Sequence, residues 1–527
     1  MKKLILSILA ILLCLSAFTL IACNGDDSTT TDNGTTIPSV EYNITYELNG
    51  GTNNAENPIG YNSEDIITLN TPTREGYFFA GWYTDPEFEN IILEINEDTS
   101  GDLTLYAKWL DSDDYIQFEL YEDFYKVIGC DQSVEYLFIP STYNGLPVKT
   151  VARQAFKYYK NLRYVYIPDS VTTIGAEAFF HCEALAKVRM PKNVKNIYTL
   201  AFSGCKSLTS LTLPNGLEII SSAVFSSSGL TSINIPDSVT TIEYQAFSSC
   251  ENLTEINLSK ELTTIEFHAF LECKSLENIV IPSKVTTIGF DAFIDCLSLK
   301  NIDVESENEF FKSVDGVLYS KDGKTLVCYP SAKTEESYTI KDGTEIIESK
   351  AFYGNACLEG IVIPNSVITI EYGAFLDCKK LKSIVLSNSL ESMGNSAFRN
   401  CTAVESITIP GSLKEIKYEA FSGCSSLKTV IIEEGVTSMG TFAFYGCSSL
   451  ESVKLPHSLE FIDYDVFGKC VSLKSIVIPK NVAVIKGNVF WRVPDITVYC
   501  EAESKPDGWN EYWSRDAKEV IWGYDGE

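Results

Sequence analysis

The sixteen cysteines carry the most obvious chemistry in this sequence, because a thiol can form a disulfide, bind a metal or act as a nucleophile. Most of them share one position, three residues after a recurring phenylalanine. A position filled once per repeat favours a small buried core side chain, so we predict a ladder of reduced thiols. Disulfides between neighbouring turns are the alternative. The ten cysteines at this position are Cys182, Cys205, Cys250, Cys273, Cys296, Cys378, Cys401, Cys424, Cys447 and Cys470.

Other residues and motifs that could catalyse a reaction or bind a metal are few. Only three histidines are present, His181, His268 and His457, and each occupies a different position of the repeat. The sequence contains no phosphate-binding loop, Gly-x-Ser-x-Gly elbow or His-Glu-x-x-His motif, and its cysteines do not form close pairs. We predict that the protein is not an enzyme and has no catalytic residues, no metal site and no cofactor.

The charge balance restricts the partners. Asp and Glu number 71 against 41 Lys and Arg, which gives a formal net charge of −30. A surface of this sign repels phosphate backbones, so nucleic acid is not expected as a partner. It also disfavours lying flat on an anionic membrane.

The N-terminus predicts export. Two lysines follow Met1, the stretch from Leu4 to Ile21 is almost wholly apolar, and Leu20-Ile21-Ala22-Cys23 ends it. A retained transmembrane helix is the alternative. The final four residues resemble the bacterial lipobox, which implies a signal peptide over 1–22 and a lipid on Cys23. The protein would then be anchored on the bacterial cell envelope by lipid alone, facing outside. Residues 23–41 are polar and predict a flexible tether.

Residues 42–110 predict a small separate β domain. Residues 44–48 (ITYEL) alternate between apolar and polar side chains, and Asn49-Gly50-Gly51 follows them. This pattern is typical of a strand and a turn. The motifs GYFFAGWYTD (residues 76–85) and LYAKW (residues 105–109) follow. They resemble the Listeria–Bacteroides repeat of internalins, which implies a β-grasp-like module that acts as a spacer or adhesive unit. We expect Trp82 and Trp109 to form a small aromatic core and not a ligand site.

A phenylalanine recurs throughout the rest of the chain. Its spacing is 23 residues, except for one step of 22 and one gap of 59. Apolar residues lie nine and eleven positions after it, which predicts a short strand with one buried face. Pro often follows and ends the strand. Each turn is too small to fold alone, so the turns must stack. The series is Phe156, Phe179, Phe202, Phe225, Phe247, Phe270, Phe293, Phe352, Phe375, Phe398, Phe421, Phe444, Phe467 and Phe490.

The full pattern, seen in IPDSVTTI (residues 235–242) and AFSSC (residues 246–250), resembles the BspA-like leucine-rich repeats. The resemblance implies a mainly β fold, a right-handed leucine-rich-repeat solenoid of 23-residue turns, preceded by the β-grasp-like domain. The repeats would occupy 151–500, with a hairpin insertion at about 303–340. An N-terminal cap at 115–150 and a C-terminal cap at 501–527 would cover the ends of the core.

Two surface rows are candidate ligand-binding sites. The first is the outward strand position, ten residues after the phenylalanine, which is apolar in the C-terminal half. This indicates an interface, or only the preference of β-branched residues for strands. The second row, three residues before the phenylalanine, is aromatic and could stack on a ligand or only on itself. The strand row is Val362, Val385, Thr408, Ile431, Lys454 and Val477; the aromatic row is Tyr244, Phe267 and Phe290.

The favoured function is that of a monomeric cell-surface adhesion lipoprotein that binds protein ligands, such as host extracellular matrix or other cell surfaces. This hypothesis follows from the BspA-like resemblance, because a fold alone does not fix a function. A lipoprotein that captures carbohydrate or mucin is the alternative, and a surface hydrolase is a third candidate for which no catalytic cluster is found.

Overall fold

The computed structural model describes residues 40–111 and 115–526. Cys23, the predicted signal peptide and most of the predicted tether lie outside these residues. All regular secondary structure in the described part is β-strand, and no helix suited to crossing a membrane is found there. The described residues form two compact units. The first contains residues 40–45, Pro58–Thr68 and Glu94–Leu103, and the second contains Tyr46–Asn57, Leu69–Leu93 and the described residues after Leu103.

Antiparallel strand pairs begin the described part of the chain. In the first unit Tyr42 pairs with Tyr61, whose hydroxyl donates to the carbonyl of Gly101 at 2.7 Å. In the second unit the Trp82 indole is buried, at 1 % exposure, and its Nε1 donates to the carbonyl of Asn70 at 3.2 Å. Trp82 therefore has the core role expected of it. The strands are β1 (Tyr42–Glu47), β2 (Gly60–Tyr61), β3 (Phe78–Tyr83), β4 (Ile91–Ile92) and β5 (Leu103–Leu110).

Five strands begin the repeat array. The antiparallel pair β6 (Ile116–Tyr121) and β7 (Phe124–Cys130) closes the edge of the array. Strand β7 lies parallel to β10 (Leu146–Val151), which starts the ladder of the following turns. The apolar edge that a solenoid exposes at its end is thereby covered. These strands are β6 (Ile116–Tyr121), β7 (Phe124–Cys130), β8 (Tyr136–Phe138), β9 (Thr142–Tyr143) and β10 (Leu146–Val151).

The first array places up to two parallel strands in each turn. The strand at the predicted position pairs with its equivalent one turn on, as Ile233 does with Ile256. A second, two-residue strand pairs in the same way, as Ile242 does with Ile265. The strands are β11 (Tyr164–Tyr166), β12 (Thr173–Ile174), β13 (Lys187–Arg189), β14 (Asn196–Ile197), β15 (Ile219–Ile220), β16 (Ser232–Asn234), β17 (Thr241–Ile242), β18 (Glu255–Asn257), β19 (Thr264–Ile265), β20 (Asn278–Ile281), β21 (Thr287–Ile288) and β22 (Asn301–Val304).

Antiparallel strands interrupt the array within the 59-residue gap, after which the parallel pattern resumes. The interrupting strands are β23 (Phe311–Val314), β24 (Val317–Ser320) and β25 (Thr325–Cys328). The second array contains β26 (Ser337–Thr339), β27 (Ile346–Ile347), β28 (Gly360–Val362), β29 (Thr369–Ile370), β30 (Ser383–Val385), β31 (Ser392–Met393), β32 (Ser406–Ile409), β33 (Glu415–Ile416), β34 (Thr429–Ile432), β35 (Ser438–Met439), β36 (Ser452–Lys454), β37 (Phe461–Ile462), β38 (Ser475–Ile478), β39 (Val484–Ile485), β40 (Thr497–Cys500) and β41 (Glu519–Trp522).

The recurring phenylalanines form the centre of the core. Phe375, Phe398 and Phe421 are fully buried, and their rings stack at centroid distances of 4.8 and 5.3 Å. Each backbone N–H also bonds the next turn, as Phe398 N does to the carbonyl of Ala420 at 2.8 Å. One residue type thus supplies both the packing and a backbone link between turns, which is why the spacing is so regular.

Each turn bends at two backbone positions that the repeat pattern does not reveal. Residues two before and two after the phenylalanine recurrently have positive φ, for example 57° at Glu177 and 54° at His181. Glycine fills the second position at Gly423, with φ of 74°. The left-handed region disfavours residues with a Cβ, so the hydrogen bonds between turns must stabilise these bends. His181 and His268 both occupy such bend positions.

Charges alternate along one edge of the second array. The Lys382 ammonium lies 2.8 Å from Glu359, and that of Lys428 lies 3.1 Å from Glu405. These exposed pairs contribute about 0–1 kcal/mol each. The position seven residues after the phenylalanine reads Glu359, Lys382, Glu405, Lys428, Glu451 and Lys474.

Indole rings close the C-terminal end of the core. Trp509 and Trp513 are 2 % exposed and pack edge to face with centroids 4.7 Å apart. The Trp509 Nε1 donates to the carbonyl of Val482 at 2.9 Å. Because the indole nitrogen has a partner, the ring can be buried without loss of a hydrogen bond.

Candidate functional site

The cysteine ladder has one repeated geometry. The fourteen cysteines in the described part of the chain are free thiols in the structure, and they include the ten of the predicted ladder. Each ladder thiol donates to the carbonyl of the phenylalanine at the start of the preceding turn, at 3.2 Å from Cys424 Sγ to Phe398 O and 3.0 Å from Cys378 Sγ to Phe352 O. The thiol therefore satisfies a carbonyl inside the core, a role that a disulfide sulfur could not perform.

Burial makes these thiols unreactive. It raises the pKa of Cys182, Cys378 and Cys424 to about 12, and the pKa of Cys401 and Cys447 well above its ordinary value. The thiolate is the nucleophile and the metal ligand, so the ladder has neither property near neutral pH. Within the described residues, no cluster of three His, Cys, Asp or Glu side chains could hold a metal ion.

Thiol labelling separates a reduced ladder from one that carries disulfides. In the folded protein at pH 8, we expect Cys357, which is half-buried, to react first with a thiol reagent, because only about one in 10,000 of the thiols with a pKa of about 12 is ionised. After denaturation without reductant, all fourteen described cysteines should react. Ladder cysteines that react only after reduction would show that neighbouring turns are disulfide-bonded.

The structure places the strand row on one exposed face of the second array. Val362 pairs with Val385, and Ile431 lies between Thr408 and Lys454 on neighbouring strands. Val362, Val385 and Ile431 are 41 %, 51 % and 39 % exposed. The last member of the row, Val477, is half-buried and pairs with Tyr499. Among the described residues no strand pairing links Val385 to Thr408 or Lys454 to Val477, so the row runs over three separate sheets. It becomes less accessible at its C-terminal end.

The aromatic row is brought together in the first array. The centroids of Tyr244 and Phe267 are 4.7 Å apart, and Phe267 and Phe290 stack at 6.3 Å with nearly parallel rings. Phe267 and Phe290 are 45 % and 55 % exposed, whereas Tyr244 is half-buried. The rings therefore stack on one another, and those of Phe267 and Phe290 still present part of their surface to solvent.

A buried charged cluster joins the two arrays. The Asp291 Oδ2 lies 2.7 Å from Lys350 Nζ and 3.4 Å from His268 Nε2, and the Asp291 side chain is 4 % exposed. The Asp291 Oδ1 and His268 Nδ1 are buried with no hydrogen-bond partner among the described residues. His268, Asp291 and Lys350 each lie two residues before a repeat phenylalanine, so the repeat register is the signal that could have pointed to this cluster. The 59 residues that separate Asp291 from Lys350 are the gap in the phenylalanine series.

The space beside this cluster is too small for a substrate. The adjoining cavity measures about 20 Å³ and is lined by Gly289, Phe290, Cys328 and Lys350, among others. That volume holds about one water molecule. The cluster is therefore a structural ion pair between the arrays.

The repeated parallel turns, the interior phenylalanine stack and the outward strand row define a bacterial leucine-rich-repeat solenoid. The family model described as BspA type Leucine rich repeat region (6 copies) matches residues 130–254, 199–314, 328–417 and 374–497, more than half of the chain. The chain belongs to this family. The Listeria-Bacteroides repeat domain matches residues 42–108. Both resemblances expected from the sequence are confirmed.

Solved structures of bacterial proteins share the fold. A leucine rich cell surface protein from Faecalibacterium prausnitzii is 31 % identical, with a TM-score of 0.57, over 65 % of this chain and 93 % of that one. A leucine-rich repeat protein from Bacteroides ovatus is 26 % identical, with a TM-score of 0.50, over 66 % of this chain and 98 % of that one. The family is one of surface proteins, and such solenoids typically serve as binding scaffolds without catalytic function.

One curated relative matches a short part of the chain. A Gly-rich protein of Evansella cellulosilytica, named as a membrane protein, is 44 % identical over 70 residues. The match covers 13 % of this chain and 8 % of the relative. The chain therefore spans less than a tenth of that protein's length.

Proposed function

We propose that the protein is a cell-surface adhesion protein that recognises protein ligands through the strand row. The observation that carries the proposal is that Val362, Val385 and Ile431 are exposed at equivalent positions of the repeat in the second array, with Thr408 between Val385 and Ile431. Exposed apolar side chains grouped on one face are typical of an interface. The regular backbone beneath the row holds it in place, so little conformational entropy is lost on binding.

The proposal is tested with a triple variant, Val362→Ser, Val385→Ser and Ile431→Ser. Binding to a panel of purified matrix proteins (fibronectin, fibrinogen, laminin and collagen) is measured by biolayer interferometry. We expect about 10- to 100-fold weaker binding to the ligand that the unaltered chain recognises, because each substitution removes apolar side-chain area that would be buried in the interface. The fold should survive, since exposed substitutions usually change stability by less than about 0.5 kcal/mol.

A matched control is available on the same chain. Ile219, Leu297 and Val471 are 42 %, 53 % and 50 % exposed but lie outside the row. Their serine variant should bind as the unaltered chain does. Equal loss in both triple variants would show non-specific apolar contact, and no loss in the row variant would exclude this face as the site.

Carbohydrate or mucin capture is the second candidate, and the aromatic row favours it. Phe267 and Phe290 expose two nearly parallel rings whose apolar faces suit stacking. A glycan array run beside the matrix panel separates the two functions. Binding to glycans alone, lost when Phe267 and Phe290 are both changed to Ala, would favour this candidate.

The surface location is proposed to depend on a lipid anchor at Cys23. The sequence Leu20-Ile21-Ala22-Cys23 and the apolar stretch before it support this assignment. Two or more acyl chains would hold the chain stably on the membrane, whereas one would hold it only marginally. Residues 24–41 would then separate the folded part from the membrane surface.

A further inference from the structure

A groove of about 650 Å³ opens within the second compact unit. Its walls are residues 71–79, from the Listeria-Bacteroides repeat, and residues 138–145, from the start of the repeat array, with Trp109 beside them. Ligand pockets for small molecules usually measure about 300–1,000 Å³. The groove is therefore large enough for a ligand, and it lies away from both surface rows.

The aromatic side chains of the groove are rigid. Phe78 is buried and stacks on the ring of Tyr143 at 6.2 Å, with an interplanar angle of 16°. Phe79 packs edge to face against Trp109 at 5.6 Å. The Trp109 Nε1 donates to the carbonyl of Leu48 at 2.9 Å, which fixes that ring. Phe78 and Phe79 are buried and support the groove from beneath. The aromatic rings that a ligand can reach are the half-buried Tyr77, Trp109 and Tyr143, and they form the aromatic surface of the groove.

The rim of the groove offers hydrogen-bonding groups that the protein itself does not use. The Arg74 guanidinium lies 3.7 Å from the centroid of the Tyr77 ring, and this contact holds it in place. Arg74 and Glu75 are the two charged lining residues, so the groove has no net charge. The exposed rim side chains with no hydrogen-bond partner among the described residues are Thr73, Ser141, Thr142 and Asn144.

We propose that this groove binds a short neutral oligosaccharide. A sugar ring has an apolar C–H face, which matches the aromatic surface, and a perimeter of hydroxyls, which matches the hydroxyl, amide and guanidinium groups of the rim. The cancelling charges of Arg74 and Glu75 favour a neutral ligand over an acidic one. A peptide added as a strand finds little edge here, because the only strand within residues 139–145 is the two-residue β9, which already pairs with β10.

The test uses the full chain and a panel of neutral di- and trisaccharides built from glucose, galactose, mannose or N-acetylglucosamine. Titration calorimetry should detect binding of at least one of them at micromolar to millimolar concentration. The double variant Arg74→Ala, Tyr77→Ala should weaken that binding by at least about tenfold, because the stacked ring and its guanidinium are both lost. A second variant, Thr142→Trp, should block the groove without altering Phe78 or Phe79.

The control variant is Lys126→Ala, Tyr121→Ala. It removes a similar contact, with the Lys126 Nζ 3.6 Å from the Tyr121 ring centroid, outside the groove. Its saccharide binding should be unchanged. The proposal is overturned if no neutral saccharide binds, if only acidic saccharides bind, or if binding survives both groove variants. The strand-row triple variant should keep saccharide binding, so failure of the groove and failure of the proposed adhesion site are distinguishable.

Discussion

Replacing Lys350 by methionine is expected to lower the free energy of unfolding by about 3–5 kcal/mol, because it leaves the Asp291 carboxylate buried without its main partner. Methionine keeps much of the side-chain volume, so the loss reports the charge and not a cavity. The two arrays should also unfold less cooperatively, since this pair links turns on either side of the hairpin insertion. Urea denaturation followed by tryptophan fluorescence and circular dichroism measures both effects.

Lys382→Met is the matched control for this experiment. Lys382 lies 2.8 Å from Glu359, a distance similar to that of the buried pair, but its side chain is 59 % exposed. We expect it to cost less than about 1 kcal/mol. Adding Asp291→Asn to Lys350→Met should recover a large part of the lost stability. Similar losses in Lys350→Met and Lys382→Met would mean that burial of the Asp291 pair has no special energetic weight.

Alkaline solution is expected to unfold the repeat arrays between about pH 9 and pH 12. Burial raises the pKa of the ladder thiols, to about 12 at Cys378 and Cys424, whereas in the unfolded chain they titrate near 8.5–9. The ladder thiols therefore stay protonated in the folded state at pH values where they ionise in the unfolded chain. The stability that they contribute is intact below pH 8.5 and falls as the pH rises through this window. At pH 10 the thiols of Cys378 and Cys424 each contribute a loss of about 2 kcal/mol. Burial raises the pKa of the other ladder thiols too, so their losses have the same sign and add to this one.

Serine substitution isolates the thiols from other alkaline groups. In Cys401→Ser, Cys424→Ser, Cys447→Ser the hydroxyl still donates to the phenylalanine carbonyl but does not titrate in this range. The slope of the unfolding free energy against pH between 9 and 11 reports how many protons are released on unfolding. In the triple variant this number should fall by about three, one for each thiol removed. An unchanged slope would assign the alkaline transition to tyrosines or lysines instead.

The fold was predictable because its signal is periodic. Fourteen phenylalanines in register define the turn length, and the alternation seen at Ile407, Thr408 and Ile409 places one side chain outside and two inside. The strand row follows from that alternation alone. The reduced accessibility of Val477 does not, because it depends on how the residues near the end of the array pack.

The groove could not be predicted, since it depends on contacts between distant segments, whereas the repeat register already places His268, Asp291 and Lys350 at one equivalent position. Phe78 packs on Tyr143 only because residues 71–79 fold back onto the start of the array. What the register alone does not predict is that the Lys350 ammonium reaches Asp291 past the insertion and that the Asp291 carboxylate is buried there. The positive-φ bends were missed for a different reason, since residues as unlike as Glu177 and Phe442 occupy the position two before the phenylalanine.

The alternating charge row bears on how such an array can grow. Turns stack in register, so a duplicated turn meets its own copy at every position. Copies of valine or threonine are compatible neighbours, but duplicating the turn that holds Lys382 would set two ammonium groups side by side where Glu359 or Glu405 now lies. Genetic expansion in pairs of turns preserves the alternation, whereas expansion by one turn does not. The edge of the solenoid therefore favours lengthening in units of 46 residues, twice the 23-residue repeat.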